Sequence, residues 1–241
     1  MKAMSGIFTS ALTLACLGLT CGASAEIIGA DDFSEADGTA VNGKLADIGG
    51  APWSAGSQTI VGGVLDTDQV GQHSGSFLDL TRALGPGEIL TLNFTSAESN
   101  GLMFDIDGYA GMSFYVGGDE KLFVGDPGGG QAVDGWALDG FAGGVIDYTG
   151  LQSEAVTGVF TYVYNTGVGV LEVTDGVNVG TAVHFYDAGL ALNRFRLQSG
   201  SSDAAAIAID SFSIFAGVPE PTSAAIALAS TVIGLARSRR R

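Results

Sequence analysis

Ile89-Leu90-Thr91-Leu92-Asn93-Phe94 alternates apolar and polar side chains without a break. A period of two marks a strand with one buried face, so Leu90, Leu92 and Phe94 are expected to point to one side. Gly85-Pro86-Gly87 just upstream is a strong turn signal. Residues 158–164 have the same period, with Phe160, Tyr162 and Tyr164 on one face and Val159, Thr161 and Val163 on the other. Residues 169–174 follow and read as the hairpin partner of that strand.

Outward from these two stretches the pattern continues. Short runs at 59–65, 77–80, 101–105, 111–116, 121–125, 135–141, 145–148 and 179–185 read as strands separated by Gly, Asp and Asn. In 193–197, Phe195 is expected inward and Arg194 and Arg196 outward. In 206–216, Ile207, Ile209 and the Phe212-x-Ile214-Phe215 segment are expected to fill the core. Residues 27–53, from Ile27-Ile28 through Asp31-Asp32-Phe33-Ser34, read as an irregular opening that ends on a buried anchor, Trp53. With about twelve strands, no fixed-period repeat and no long helical period between the ends, the expectation is all-β: one antiparallel β-sandwich (jelly roll) over residues 26–217.

The ends read differently. Lys2, an apolar run over 7–19 and Ala23-Ser24-Ala25 form a secretory signal peptide, residues 1–25, expected as a helix with cleavage before Glu26. A lipoprotein signal would use Cys16 or Cys21, but the residues before each fit a lipobox poorly. Both cysteines fall inside this segment, so the body carries none, and thiol catalysis and thiolate metal sites are excluded from it. At the other end, residues 218–241 contain Pro219-Glu220-Pro221, an apolar run over 222–236, and Arg237-Ser238-Arg239-Arg240-Arg241. The run is compatible with an apolar transmembrane helix, though shorter than the roughly 20 residues a bilayer core asks for. The arginines would hold its end in the cytoplasm.

Whole-chain charge is −16, but the ends carry five of the ten basic residues and one of the 26 acidic ones. The body therefore holds 25 acidic against five basic residues, a net of −20. Such a surface repels nucleic acid, which is excluded as a partner, and suits solubility outside the cell, cation binding or contact with neutral sugars.

Pro219-Glu220-Pro221, the apolar run and the arginine cluster, in that order at the C-terminus, resemble a PEP-CTERM sorting signal. The resemblance implies an exported protein of a bacterium that makes extracellular polysaccharide. It also implies transient anchoring in the inner membrane, processing by an exosortase near Pro-Glu-Pro, and delivery to the cell surface or extracellular matrix. An ordinary tail anchor is the alternative. In the body, Asp31-Asp32-Phe33, Glu120-Lys121-Leu122-Phe123-Val124-Gly125, Asn193-Arg194-Phe195-Arg196-Leu197 and Ile209-Asp210-Ser211-Phe212 resemble concanavalin A-like (LamG-like) jelly rolls. That resemblance implies the fold; it names no activity.

Chemistry is sparse. Retaining glycoside hydrolysis needs two carboxylates about 5–5.5 Å apart, and no Glu-x-Asp-x-x-Glu run of the jelly-roll glucanases is present. Asp105-Ile106-Asp107 has strand spacing but runs into Gly108, so it reads as a turn, a weak calcium ligand pair or, least favoured, a catalytic dyad. Asp31, Asp32, Asp66 and Asp68 are further calcium candidates; no other cofactor is expected. His73 and His184 lack partners at metal-site spacing. Gly128-Gly129-Gly130 lacks the Gly-Lys of a phosphate loop, and Asn93-Phe94-Thr95 is a sequon inside a strand. Trp53, Trp136, Tyr109, Tyr148 and Tyr186 are either core aromatics or a sugar-stacking platform. The expectation is a non-enzymatic exported protein that binds exopolysaccharide. The alternative is a glycan-active enzyme, a hydrolase or lyase, on the same scaffold.

Overall fold

The computed structural model describes residues 25–67, 75–128, 135–140 and 145–218. Both expected terminal helices lie outside the described residues, as do Ala23, His73, Asp68, Pro219, Glu220, Pro221, Arg237, Arg239, Arg240 and Arg241. The described residues form fourteen strands and no helix. In chain order these are β1 (Glu26–Asp31), β2 (Ile60–Val61), β3 (Val64–Asp66), β4 (Ser76–Asp79), β5 (Ile89–Ala97), β6 (Tyr109–Val116) and β7 (Asp119–Asp126). There follow β8 (Ala137–Asp139), β9 (Asp147–Tyr148), β10 (Thr157–Val163), β11 (Val168–Thr174), β12 (Val179–Phe185), β13 (Arg194–Gly200) and β14 (Ala208–Gly217).

They pair antiparallel into two sheets. The larger runs β12-β11-β10-β5-β14-β3-β2, with β1 also paired to β14; the smaller runs β4-β13-β6-β7-β8-β9. The alternation that predicts β5 sets its faces: Leu90, Leu92 and Phe94 are buried and lie opposite Tyr162, Phe160 and Gly158 of β10. The Phe94 ring lies over Gly158, where a Cβ would come within 2.1 Å of it, so no other residue fits there. β11 is the hairpin partner of β10, as its sequence implies.

The core lies between the inner faces of the sheets. Phe195 of β13 sits 5.3 Å from Phe114 of β6 and 4.7 Å from Phe212 of β14, joining the two layers. Trp136 packs on Phe94 at 5.1 Å and donates its indole N–H to the Ser153 carbonyl. Trp53 caps one end of the core against Phe33 and Phe212. Among the described residues, this core runs from Ile28 to Ala216.

Several expectations need correction. Residues 26–31 form a strand rather than an irregular opening, because β14 is long enough to pair both β1 and β3. The 59–65 run is two short strands, β2 and β3, turned at Gly62-Gly63. Residues 101–105 are not a strand: the Glu154 carboxylate accepts the Met103 and Ser99 amides and holds this segment as a turn. A bulge at Asp210 shifts the register of β14, so Phe212 and Ile214 enter the core while Phe215 faces outward.

Candidate functional site

The candidate site is the outer face of the smaller sheet, turned away from the core. On β13, Phe195 and Leu197 point inward, which sends Arg194, Arg196 and Gln198 outward. Register then brings neighbours beside them. Arg194 is flanked by Asp79 and Tyr115, Arg196 by Phe77 and Ser113. The register shift between β6 and β7 places Glu120 opposite Tyr115 and Leu122 opposite Phe114. Without that extra residue, Lys121, the parity of two would force Glu120 and Leu122 onto one face. The bulge lets Leu122 enter the core while Glu120 joins the outer face.

The side chains hold one another. Both guanidinium groups lie over the Phe77 ring, Arg196 at 4.8 Å and Arg194 at 5.7 Å, and Tyr115 meets that ring edge-on at 5.6 Å. Arg196 Nη1 donates to Tyr115 Oη at 2.9 Å and Arg194 Nε to Asp79 Oδ1 at 2.5 Å. Gln198 Nε2 donates to Ser113 Oγ and to Glu120 Oε1. Burial pushes the Tyr115 hydroxyl above its ordinary pKa, against the Arg196 hydrogen bond. The hydrogen bond to Asp79 raises that of Arg194. Gly75 makes room for the guanidinium: a Cβ there would lie 1.8 Å from Arg196 Nε. That Nε is buried with no partner among the described residues.

The face is graded. Ser113 and Gln198 form a buried floor, and Arg194 and Asp79 a half-exposed rim. Aromatic, guanidinium, amide and carboxylate groups thus stand on adjacent rungs of one sheet face across β4, β13, β6 and β7. Such a set can stack on an apolar ring face and exchange hydrogen bonds with hydroxyls. Arg194 and Arg196 are visible in the sequence only as outward strand residues, and Glu120 only as the end of a turn before the 121–125 run; the register that assembles them is not visible there.

Among the described residues, the carboxylates foreseen as calcium ligands do not assemble a cage. Asp105 and Asp107 share one turn, the first with a buried, unpaired Oδ2 and the second exposed. Calcium takes 6–8 oxygens, and among the described residues no third metal-ligating group joins this pair. Asp31 and Asp32 come together with Asp47, which sequence reasoning missed. There both oxygens of Asp31 accept from Lys44 Nζ, at 2.7 and 2.8 Å, and Oδ2 also accepts from Trp53 Nε1 at 2.7 Å. Burial works against the Lys44 ammonium, but the hydrogen bonds it donates to Asp31 and Glu35 outweigh that and hold its pKa above the ordinary value. This is a structural ion pair, and its donor set does not fit a cation. Asp66 accepts from the Asn100 amide and side chain.

The aromatics also sort themselves. Trp53, Trp136 and Tyr186 are core residues, which removes them from a sugar platform; Tyr109 and Tyr148 are half-buried. His184 is buried at the sheet edge, with Nδ1 2.8 Å from Asp147 Oδ2 and its ring packed on Tyr186.

No protein-family model matches the chain, and no curated protein does. Solved structures share the fold. Lectin I from Ulex europaeus, solved with the methyl glycoside of α-L-fucose, gives a TM-score of 0.50 at 10% identity, over 80% of this chain and 98% of that one. The CBM2 module of the evolved Dit of Lactobacillus casei BL23 phage J-1 gives 0.50 at 11%, over 81% and 97%. A legume lectin-like domain from Entamoeba histolytica gives 0.46 at 9%, over 67% and 88%. The chain thus has the two-sheet antiparallel β-sandwich fold that the Ulex lectin and the phage module share with it.

Proposed function

We propose that this chain is an exported, non-enzymatic glycan-binding protein. Its delivery would use the signal peptide before Glu26, and its tail would be held in the inner membrane until an exosortase cuts near Pro219-Glu220-Pro221. The observation that supports glycan binding is the cluster of Phe77, Tyr115, Arg194, Arg196, Gln198 and Glu120 on the outer face of the smaller sheet. It offers stacking and hydrogen-bonding groups held in place before any ligand arrives, which lowers the ordering cost of binding. The fold shared with the fucoside-bound Ulex lectin supports the same reading. An extracellular polysaccharide is the ligand class that fits the sorting signal.

The test is a polysaccharide pull-down and glycan array on residues 26–217, with and without calcium. Retention of a glycan by the wild type and its loss in Phe77→Ala, with the melting transition preserved, is the expected result. No retention of any glycan would overturn the reading. Mass spectrometry of the exported chain tests the tail: the expected C-terminus lacks Arg237–Arg241, and an intact arginine cluster would remove the exosortase from the account.

A further inference from the structure

The outer face of the larger sheet is divided along its strands. At one end Phe185 pairs with Val168 and Val163 with Ile89, on the end rung of β12, β11, β10 and β5. One rung in, Val183, Val170, Phe215 and Ile27 stand in line, with Thr161 and Thr91 between them. Directly opposed residues of antiparallel strands share a face, so the two rungs make one apolar band across the sheet. Neither rung holds a charged side chain. Phe185 is 76% exposed, Val183 46% and Ile27 38%. The far rungs of the same face carry Asn93, Thr95, Thr157, Ser211 and Ser213. An antiparallel sheet needs only one apolar face to fold, and monomers rarely leave a wide apolar band on the other to water.

The chain leaves the sandwich at this end. β14 closes on Gly217, which pairs with Ile89 of the end rung, and residues 219–241 continue from there outside the described residues. We propose that the band holds the chain's own C-terminal apolar run, 222–236, laid across the sheet as a helix from β14 to β12. The lengths agree. Fifteen residues of helix are about 22 Å long, and the four strand spacings from β14 to β12 are about 19 Å. Residues 218–221 lie between, and four extended residues reach about 13 Å. That is enough to lift the helix the roughly 10 Å at which a second layer packs on a sheet. The run also has a side to offer. At about 100° per residue, Ile226, Leu228, Val232, Ile233 and Leu235 fall in one half of a helical wheel, and Ser223, Ser230, Thr231 and Gly234 in the other. Such a helix lies on an apolar surface with its hydroxyl side in water, whereas a helix surrounded by lipid asks for no such division.

Charge selects this occupant. Laid in that direction, the helix carries Arg237, Arg239, Arg240 and Arg241 past β12. There Asp187 is exposed just beyond Phe185, Asp147 stands beside His184, and Glu172 lies one rung inward. At the opposite border Glu26 and Glu88 are already paired with Arg82. Four arginines against Glu220 give the tail a net charge of +3, facing a body of −20. An anionic bilayer or a second acidic body would meet the same carboxylates with like charge. A tether of four residues also keeps the run at millimolar effective concentration over the band. Residues 1–25 enter at the same end, but they are removed on the reading above. Docking gives the run cover in water before a bilayer takes it. It does not depend on the exosortase, because a tail that is never cut would dock alike.

Hydrogen exchange of the exported form, residues 26–241, in buffer without lipid tests this. A free helix of this length is marginal in water, so slow amides over 224–235 report docking. They are expected to exchange at least about tenfold more slowly than in Val183→Ser combined with Phe185→Ser, at about 1 and about 50 µM alike. The amides of β5 and β10 are expected to exchange equally in both proteins. A cysteine pair reads the placement, since residues 26–241 contain no cysteine. Val170→Cys with Val232→Cys is expected to close an intramolecular disulfide on mild oxidation. Thr95→Cys with Val232→Cys, on the polar half of the same face, is expected to stay open. Fast exchange along the tail, protection that survives the double substitution, or equal linking of both cysteine pairs would overturn the proposal. So would protection that grows with protein concentration, which assigns the band to a second copy, or that needs phosphatidylglycerol vesicles, which assigns it to a bilayer. A tail that docks but keeps its arginines in the cell would leave this inference standing and remove the exosortase alone.

Discussion

On the outer face of the larger sheet, Thr161 and Thr91 stand in one row and Asn93 and Ser213 in the next, short half-exposed side chains at their strand positions. On the outer face of the smaller sheet, long side chains interlock: two guanidinium groups over one ring, a tyrosine at its edge, and an amide between a hydroxyl and a carboxylate. The first face follows from alternation along β5 and β10, with Phe215 turned onto it by the bulge at Asp210. The second needs register, a bulge and a glycine. Chain invested in holding polar groups in place marks the smaller sheet as the one with a task beyond folding.

The comparison predicts unequal responses to substitution. The largest effect belongs to the layer between the faces. Phe195→Ala removes the ring that joins Phe114 to Phe212, and urea unfolding is expected to show a loss of about 3–5 kcal/mol. Both faces should fail together in that variant, whereas changes on one face should leave the other intact.

Next comes Gln198→Leu. It leaves Ser113 Oγ and Glu120 Oε1 without their shared donor in a site where Gln198 is only 2% exposed. The expected loss is about 1–3 kcal/mol by denaturant unfolding. A smaller, pH-dependent effect concerns the Arg82–Glu88 pair beside β5. Arg82 hydrogen bonds hold the Glu88 carboxyl below its ordinary value of 4.5. A depressed carboxyl stabilises the fold above its unfolded pKa and loses that contribution as pH falls through the folded one. Arg82→Ala should therefore cost about 0.5–1 kcal/mol at neutral pH, reduced by the partial exposure of Arg82. The gap to wild type should close in acid below 4.5, read by urea midpoints across pH. The smallest effect is Thr161→Ala on the plain face, expected within about 0.5 kcal/mol.

Legibility in the sequence follows the same division. Alternation suffices for β5, β10 and β11, and for Phe195 inward with Arg194 and Arg196 outward, because each depends on one strand and a period of two. It fails where a long-range partner decides. β1 exists because β14 extends past its own neighbour β3 to receive it. The 101–105 run is a turn because Glu154 takes its amides. Asp47 joins Asp31 and Asp32 only through the β1 fold-back. The bulges at Lys121 and Asp210 each add one residue that no local pattern announces, and they decide where Glu120 and Phe215 point. The sequence leaves the tryptophans open between core and stacking platform; their burial follows from the core's demand for large side chains, and the half-buried Phe77 takes the outward place.

The most direct measurement is calorimetric titration of residues 26–217 with the glycan retained in the pull-down, comparing Phe77→Ala with Thr91→Ala. The first removes the ring beneath both arginines and is expected to weaken binding at least tenfold, about 1.4 kcal/mol. The second alters the plain face and is expected to stay within about twofold of wild type, under 0.5 kcal/mol. Wild-type affinity in Phe77→Ala, or a matching loss in Thr91→Ala, would contradict the assignment of the site to the smaller sheet.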